Sequence, residues 1–319
     1  MFAWIQIISG LALLIYGADR FVAGAAQSAR ILGVSPLIIG LTIVGMATSA
    51  PEVLVGSVAA FEGKTSIAVG NAIGSNIANI SLVLGGAVLF RPFLINSKTL
   101  MREYLIMIAV FALGLTVMLD YSLDKIDAII LLTGLAGFLS WTGYQARHPK
   151  RQDQFLKEVE EHLPGKEIKP GMSLFLLIVG LLILLVGAEI LVRGAVTFAE
   201  SLGISDLVIG LTIIAVGTSL PELAASIMSI IKDEADMAIG NIIGSNIFNM
   251  LAVLGIPVLI HPDSFGKEVL LRDFSIMTGL ALLLGFIILA HRRFHRIYGV
   301  ILMTSFIAYQ TWLFTHSVN

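Results

Sequence analysis

The chain of 319 residues is 57% hydrophobic and only 13% charged, with a formal net charge of −2 and a mean hydropathy of +0.93. A soluble domain would carry about twice that charged fraction, so the composition excludes an ordinary soluble enzyme or binding domain and indicates a polytopic membrane protein. The lack of cysteine excludes disulfides, thiolate metal sites and a cysteine nucleophile.

Hydropathy predicts ten membrane-spanning helices, each near the length of about 20 residues that crosses a bilayer. The predicted spans are 3–27, 36–60, 66–90, 101–120 and 124–144, then 172–198, 205–231, 236–260, 270–291 and 296–315. We therefore predict an all-α integral membrane protein with one five-helix repeat at 1–144, a linker at 145–171 and another five-helix repeat at 172–319. The charged linker contains three prolines and is expected to be solvated, with a regulatory loop as the alternative.

Two segments of the first half recur 170 residues later. Residues 32–52 aligned with 202–222 give 13 identities in 21 positions, and 70–80 aligned with 240–250 give 8 in 11. A single offset over this length indicates duplication. Because each repeat has an odd number of predicted helices, the second repeat should have inverted topology.

The distribution of basic residues predicts the orientation. With the 145–171 loop in the cytoplasm and both termini outside, internal loops and ends hold 14 lysines and arginines, whereas external ones hold 4. The opposite orientation would invert this ratio. We therefore predict a multi-pass protein of the cell membrane with a cytoplasmic linker and external termini.

The first repeated motif places a glutamate, a proline and hydroxyls within an apolar stretch. Helical spacing puts Thr48 and Glu52 on one face, and it does the same for Thr218 and Glu222. Pro51 has no N–H, so it should kink its helix and free a backbone carbonyl. A charge at membrane depth costs about 2.5–3.5 kcal/mol, and no basic residue lies near these glutamates in their helices, which favours a functional carboxylate pair over a structural one.

The second repeated motif, at 70–79 and 240–249, adds neutral oxygen atoms. Ser75 and Asn79 share a helix face, as do Ser245 and Asn249. Carboxylate, hydroxyl, amide and carbonyl oxygens suit a hard cation such as calcium, which takes about six to eight oxygens. Such polar residues also serve as hydrogen-bond partners between membrane helices. That alternative stays open for Asn71, Asn76, Asn241 and Asn246.

The two motifs, each present twice in inverted halves, resemble the alpha repeats of sodium/calcium exchangers of the calcium/cation antiporter superfamily, in the prokaryotic form without a large regulatory loop. The resemblance covers nearly the whole chain. It implies ten transmembrane helices, a central site built from the second and third helices of each repeat, and first and sixth helices that slide across it. The cation-binding residues that it implies by position are Glu52, Glu222, Thr48, Thr218, Ser49, Ser219, Ser75, Ser245, Asn79, Asn249, Gly45 and Ala215.

The chain departs from the family pattern at two places. Some members have an acidic residue where Asn249 stands, so this site has one negative charge fewer, which argues against potassium co-transport and leaves the sodium stoichiometry open. Ala47 stands where the second repeat has Gly217, so the two halves need not bind equally.

These observations predict a secondary antiporter that exchanges calcium for sodium by alternating access. Its partners would be calcium and sodium ions and the lipid bilayer, with no cofactor, no nucleic acid and a monomer as the functional unit. The alternative is a calcium/proton or other divalent cation/proton antiporter that uses the same glutamates. A channel is disfavoured because no repeated selectivity filter is present. An intramembrane enzyme is disfavoured because the chain has no His-Glu-x-x-His pattern and its six histidines lie in predicted loops or at helix ends.

Overall fold

Long apolar helices make up most of the chain. The computed structural model describes residues 2–95, 99–147, 170–203, 213, 215–290 and 293–317. The first repeat contains α1 (Phe2–Leu32), α2 (Pro36–Thr48), α3 (Ala50–Phe61), α4 (Thr65–Phe90), α5 (Leu100–Val117) and α6 (Lys125–Arg147). The second repeat contains α7 (Pro170–Ser201), α8 (Ala215–Gly217), α9 (Leu220–Ile231), α10 (Ala235–Ile260), α11 (Val269–Ala290) and α12 (Arg296–Ser317).

The described helices confirm the predicted all-α membrane fold. Eight of them are long and apolar enough to cross a bilayer, and the bent pair α2 and α3 makes a ninth span. The remaining predicted span, 205–231, which is the seventh in chain order, lies partly outside the described residues; its described helices are α8 and α9. The central helices are α4 and α10. Their apolar 18-residue stretches are 78% and 89% buried, compared with 22% for those of α1, α6, α7 and α12.

Two pairs of very short strands show that the repeats are inverted. Strand β1 (Phe93–Leu94) follows α4 and pairs antiparallel with β4 (Arg293–Phe294), which follows α11. Strand β2 (Ser122–Leu123) follows α5 and pairs with β3 (Asp263–Ser264), which follows α10. Each pair thus joins the loop after the third helix of one repeat to the loop after the fourth helix of the other. Such loops share a membrane face only if the second repeat is upside down relative to the first.

The two faces of the molecule can be named from the chain itself. We call the face where α6 ends and α7 begins the linker face, and the face where α1 begins and α12 ends the terminal face. Following the helices across the bilayer places the β1–β4 pair on the linker face and the β2–β3 pair on the terminal face.

Helices α1 and α7 are antiparallel and touch backbone to backbone along a glycine seam. The seam glycines recur every seven residues on both helices, and a Cβ on any of them would overlap the facing helix. They are Gly10, Gly17 and Gly24 of α1 and Gly180, Gly187 and Gly194 of α7. Small residues at such spacing let membrane helices approach closely, which favours van der Waals packing without large side chains in between.

Each repeat also buries an acid at the start of its fourth helix. Glu103 is 1% exposed and is paired with Arg102 at 2.7 Å, and the Arg102 guanidinium lies 4.9 Å from the centre of the Trp141 ring. At the equivalent place Asp273 is paired with Arg272 at 2.5 Å. Each pair gives an acid inside the helix bundle an oppositely charged partner, as is usual for such acids in membrane proteins.

Candidate functional site

The candidate site lies where the second span of each repeat is broken. Helices α2 and α3 meet at 41°, with Ser49 at the break and Pro51 in the first turn of α3. The predicted kink is therefore present. Glu52 and Glu222 each lie in the first turn of the helix that follows the break. The positive end of the helix dipole at this position favours a carboxylate.

Three hydrogen bonds at this break join the two repeats. The Ser49 hydroxyl donates to Glu222 Oε1 at 3.3 Å, and the Thr48 hydroxyl donates to Asn241 Oδ1 at 3.2 Å. The Ser245 hydroxyl donates to the Gly45 carbonyl oxygen at 3.3 Å. Residues that are 173 to 200 positions apart in the chain therefore form one polar group, made of α2 from one repeat and α9 and α10 from the other.

Two asparagines of the second motif hold the backbone of the two glutamates. Asn71 Nδ2 donates to the Glu52 carbonyl oxygen at 3.2 Å, and Asn241 Nδ2 donates to the Glu222 carbonyl oxygen at 3.3 Å. Asn241 also donates to the Ser226 hydroxyl at 2.9 Å. These contacts favour the hydrogen-bonding role that the sequence left open for Asn71 and Asn241. Ser226 was missed because it stands outside both repeated motifs.

The other two asparagines with an open role also make structural contacts. Asn76 Nδ2 donates to Met277 Sδ at 3.5 Å, and Asn246 Nδ2 donates to the Ile242 carbonyl oxygen within its own helix at 2.7 Å. Both side chains are fully buried. Within the described residues they tie α4 to α11 and stabilise a turn of α10.

Several buried polar atoms of the predicted residues have no hydrogen-bond partner among the described residues. They include one carboxylate oxygen of each glutamate, the Ser219 hydroxyl, Asn79 Nδ2 and both polar side-chain atoms of Asn249. An unpaired polar atom is costly in a membrane protein. The unpaired oxygens of Glu52, Glu222, Ser219 and Asn249 are all ones that a hard cation can bind.

The two carboxylates also influence each other. Glu52 and Glu222 are each 1% exposed, share no hydrogen bond within the described residues, and repel each other when both are ionised. Two acids with neutral oxygens on the adjoining helices offer ligands of the kind that hard cations prefer.

Helices α4 and α10 each contain a π-helical turn at the predicted asparagines. These turns are Asn79–Val83 and Asn249–Val253, and α2 has a similar turn at Gly40–Val44. A π-turn inserts an extra residue and changes which side chains face the bundle centre, and such turns are frequent at functional sites. Nothing in the repeated motifs predicted them.

Most of the predicted residues lie in the interior of the bundle, and for one of them only the backbone is described. Glu52, Glu222, Thr48, Ser49, Ser219, Ser75, Ser245, Asn79 and Asn249 are all buried, as is Gly45, whereas Thr218 is half-buried. For Ala215 only the backbone, at the start of α8, is described. The hydrogen bonds above join Ser49 to Glu222 and Ser245 to Gly45 directly, and Thr48 to Asn241. The other buried residues lie on α3, α4 and α10 or, for Ser219, just before α9.

The family model described as sodium/calcium exchanger protein matches residues 2–144 and 172–315. The chain is 47% identical over 316 residues to a putative antiporter, CaxA, of Alkalimonas amylolytica, covering 98% of this chain and 99% of that protein. It is 40% identical over 313 residues to inner membrane protein YrbG of Escherichia coli strain K12, covering 97% and 95%. A solved structure of the sodium-calcium exchanger NCX_Mj, soaked with zero Na⁺ and Ca²⁺, superposes with a TM-score of 0.83 at 32% identity, covering 98% of this chain and 99% of that one.

Proposed function

Because the chain belongs to the sodium/calcium exchanger protein family, we propose that it is a secondary antiporter that exchanges calcium for sodium across the membrane. It would work by alternating access, as a monomer, without a cofactor and without enzymatic activity. The twelve residues predicted from the sequence, with Glu52 and Glu222 at their centre, would bind both ions.

One observation carries this proposal. Two buried glutamates, one from each repeat, each keep a carboxylate oxygen without a hydrogen-bond partner in the described structure, and the Ser219 hydroxyl and amide atoms of Asn79 and Asn249 are also unpaired. A divalent cation would neutralise both charges at once and take up these oxygens. Several sodium ions would do the same with the same atoms, so the two ions would compete for one site.

Competition at this site explains why transport would be an exchange. Without cations the two carboxylates repel each other in a low-dielectric interior. Moving the empty site between the two faces would carry this cost, whereas moving it filled would not. Calcium in one direction and sodium in the other would therefore be coupled.

The orientation is part of the proposal. The linker face would be cytoplasmic and the terminal face external, in the cell membrane. This arrangement is supported by the excess of 14 lysines and arginines over 4 in the loops and ends assigned to the cytoplasm.

Calcium flux in liposomes tests the function. The purified chain is reconstituted, liposomes are loaded with sodium, and uptake of radioactive calcium is followed with and without an outward sodium gradient. We expect uptake to require the gradient, and we expect Glu52→Gln and Glu222→Gln each to abolish it. Glu268→Gln, which changes an exposed glutamate, is the control and should keep full uptake. Full uptake in both site variants would rule out this site.

The same liposomes separate sodium from protons as the counter-ion. In sodium-free buffer, an outward proton gradient replaces the sodium gradient. Calcium uptake under the proton gradient alone, with no stimulation by sodium, would replace the proposed exchange by calcium/proton antiport at the same two glutamates.

A further inference from the structure

An ion pair on the linker face ties α1 to the second repeat. Arg30, in the last turn of α1, donates to Glu234 Oε1 at 2.8 Å, and the two side chains are 31% and 13% exposed. Burial raises the pKa of Glu234, and the Arg30 charge opposes that rise. Arg30 therefore offsets the cost of keeping a charged glutamate in this position. A second ion pair, between Lys232 and Asp19 at 2.6 Å, joins the same turn to α1.

The duplication places a matching pair on the opposite face with its charges exchanged. The offset of 170 residues that relates the repeats pairs Arg30 with Glu200 and Glu234 with Lys64. Both positions have changed sign together, so the pair remains one acid and one base. A change at only one position would have left two like charges facing each other.

The backbone around both pairs is the same. Gly33 and Gly203 end α1 and α7 with φ of +65° and +74°, and each donates its N–H to the carbonyl three residues earlier, at 3.2 and 2.9 Å. Lys64 and Glu234 each follow a residue with positive φ, +72° and +61°, and each donates its N–H to the carbonyl five residues earlier at 2.8 Å. The side chains of the two pairs therefore extend from equivalent backbone conformations.

Only one of the two pairs is formed in this structure. On the terminal face Lys64 is paired instead with Glu62 at 3.0 Å, and the exposed Glu200 makes no ion pair with any described residue. The packing of the helices near the two pairs also differs between the faces. Helix α1 packs along α9, whereas α7 has at most marginal contact with the equivalent α3. At the linker face α1 is therefore held against the second repeat, whereas at the terminal face α7 is not held in the same way against the first repeat.

We infer that Arg30–Glu234 and Glu200–Lys64 are alternating latches, one for each face of the membrane. The linker-face latch (Arg30–Glu234) holds α1 against the second repeat while the site is open toward the terminal face. When the transporter reverses, this latch opens and the terminal-face latch (Glu200–Lys64) forms between α7 and the first repeat. The inference rests on the proposed function, since it assigns the two pairs to the two states of alternating access.

Distances between spin labels test the latches without measuring transport. The chain has no cysteine, so pairs of cysteines can be introduced into the full-length protein without other changes. One labelled pair is Leu32→Cys with Ile231→Cys, and the equivalent pair on the other face is Leu202→Cys with Phe61→Cys. All four residues are exposed. Double electron–electron resonance in liposomes measures both distances, first with calcium and then with sodium. We expect one distance to lengthen and the other to shorten when one ion replaces the other.

Charge-removing variants should move the two distances in predictable ways. Arg30→Met should lengthen the linker-face distance and shorten the terminal-face one, shifting the two populations about tenfold. Lys64→Met should shift them the other way. Lys125→Met, which removes an exposed terminal-face charge outside the latch, should leave both unchanged. Exchanging the charges, with Arg30→Glu and Glu234→Arg together, should restore the wild-type distances and also shows that a shifted variant has not merely misfolded.

The latches are refuted if the two distances change in the same direction, or if Arg30→Met and Lys64→Met shift them alike or not at all. Failure of the proposed function looks different. A wild-type protein that shows opposite distance changes but no sodium-dependent calcium uptake would retain the latches and lose the exchange.

Discussion

Substituting alanine for Gly244 tests whether close packing of α2 on α10 holds the candidate site together. A Cβ at Gly244 would overlap the backbone of Leu41, with the carbonyl carbon and Cα of Leu41 at 2.7 Å. Since carbon atoms in contact prefer about 3.5–4.0 Å, the two helices would separate by roughly 1 Å. The Ser245 hydroxyl, already 3.3 Å from the Gly45 carbonyl oxygen, would then lose its hydrogen bond.

The expected loss of stability follows from these contacts. Overpacking costs about 1–3 kcal/mol, and a lost hydrogen bond about 1 kcal/mol, so Gly244→Ala should lower the free energy of unfolding by about 3 kcal/mol. The equivalent glycine of the first repeat, Gly74, is a matched control because no described atom lies within 4 Å of its added Cβ. Alanine restricts the unfolded chain more than glycine does, so Gly74→Ala should be neutral or stabilising by up to about 1 kcal/mol.

Equilibrium unfolding in mixed micelles with increasing SDS, followed by circular dichroism, measures both free energies. The same titration with calcium present should show less stabilisation by the ion in Gly244→Ala than in the wild type, because the hydrogen bonds between the repeats are lost. Equal losses at Gly244 and Gly74, or no loss at Gly244, would refute the reasoning.

Two further predictions concern the polar contacts of the bundle. Asn241→Ala should weaken calcium binding about tenfold, measured by calorimetry, because it removes about 1.4 kcal/mol of support for the Glu222 backbone. Asn71→Ala should have the smaller effect, because Asn71 has one hydrogen bond to lose rather than several. The reverse order would contradict this assignment. Arg102→Met should lower the free energy of unfolding by about 2 kcal/mol, less than for a fully buried pair because the arginine is 40% exposed. The equivalent Arg272→Met should cost less in the same SDS titration, since its aspartate keeps the Tyr309 hydroxyl as a donor at 3.0 Å, and equal losses would count against that compensation.

The sequence predicted the parts of this protein that depend on helix period and on the duplication. Pro51 predicted the break between α2 and α3, which is present as a bend of 41°. The spacing of Thr48 and Glu52 predicted that both face inward, and both are buried. The odd number of predicted helices in each repeat predicted the inversion that the two strand pairs display. Each of these features is encoded locally or by comparison of the two halves.

Contacts between the repeats were beyond such reasoning. Helical spacing shows that Asn241 shares a face with Ser245, but it does not show that Asn241 accepts from Thr48, which is 193 residues away. The π-helical turns at Asn79 and Asn249 are equally hidden, because they depend on how α4 and α10 pack in the bundle centre. The sequence allowed unequal halves through Ala47 and Gly217, but it did not show that the hydrogen bond from Ser49 to Glu222 has no described counterpart at Ser219.

The glycine seam between α1 and α7 has a mechanical consequence. With a glycine every seven residues and about 1.5 Å of rise per residue, identical contacts recur only every 10 Å or so along the seam. A smaller slip of one helix past the other would drive side chains into backbone, so the two helices must travel as one rod. Arg30 and Glu200 stand near opposite ends of that rod. When the two helices move together, Arg30 leaves Glu234 as Glu200 approaches Lys64. The protein therefore needs no separate signal to coordinate its two sides.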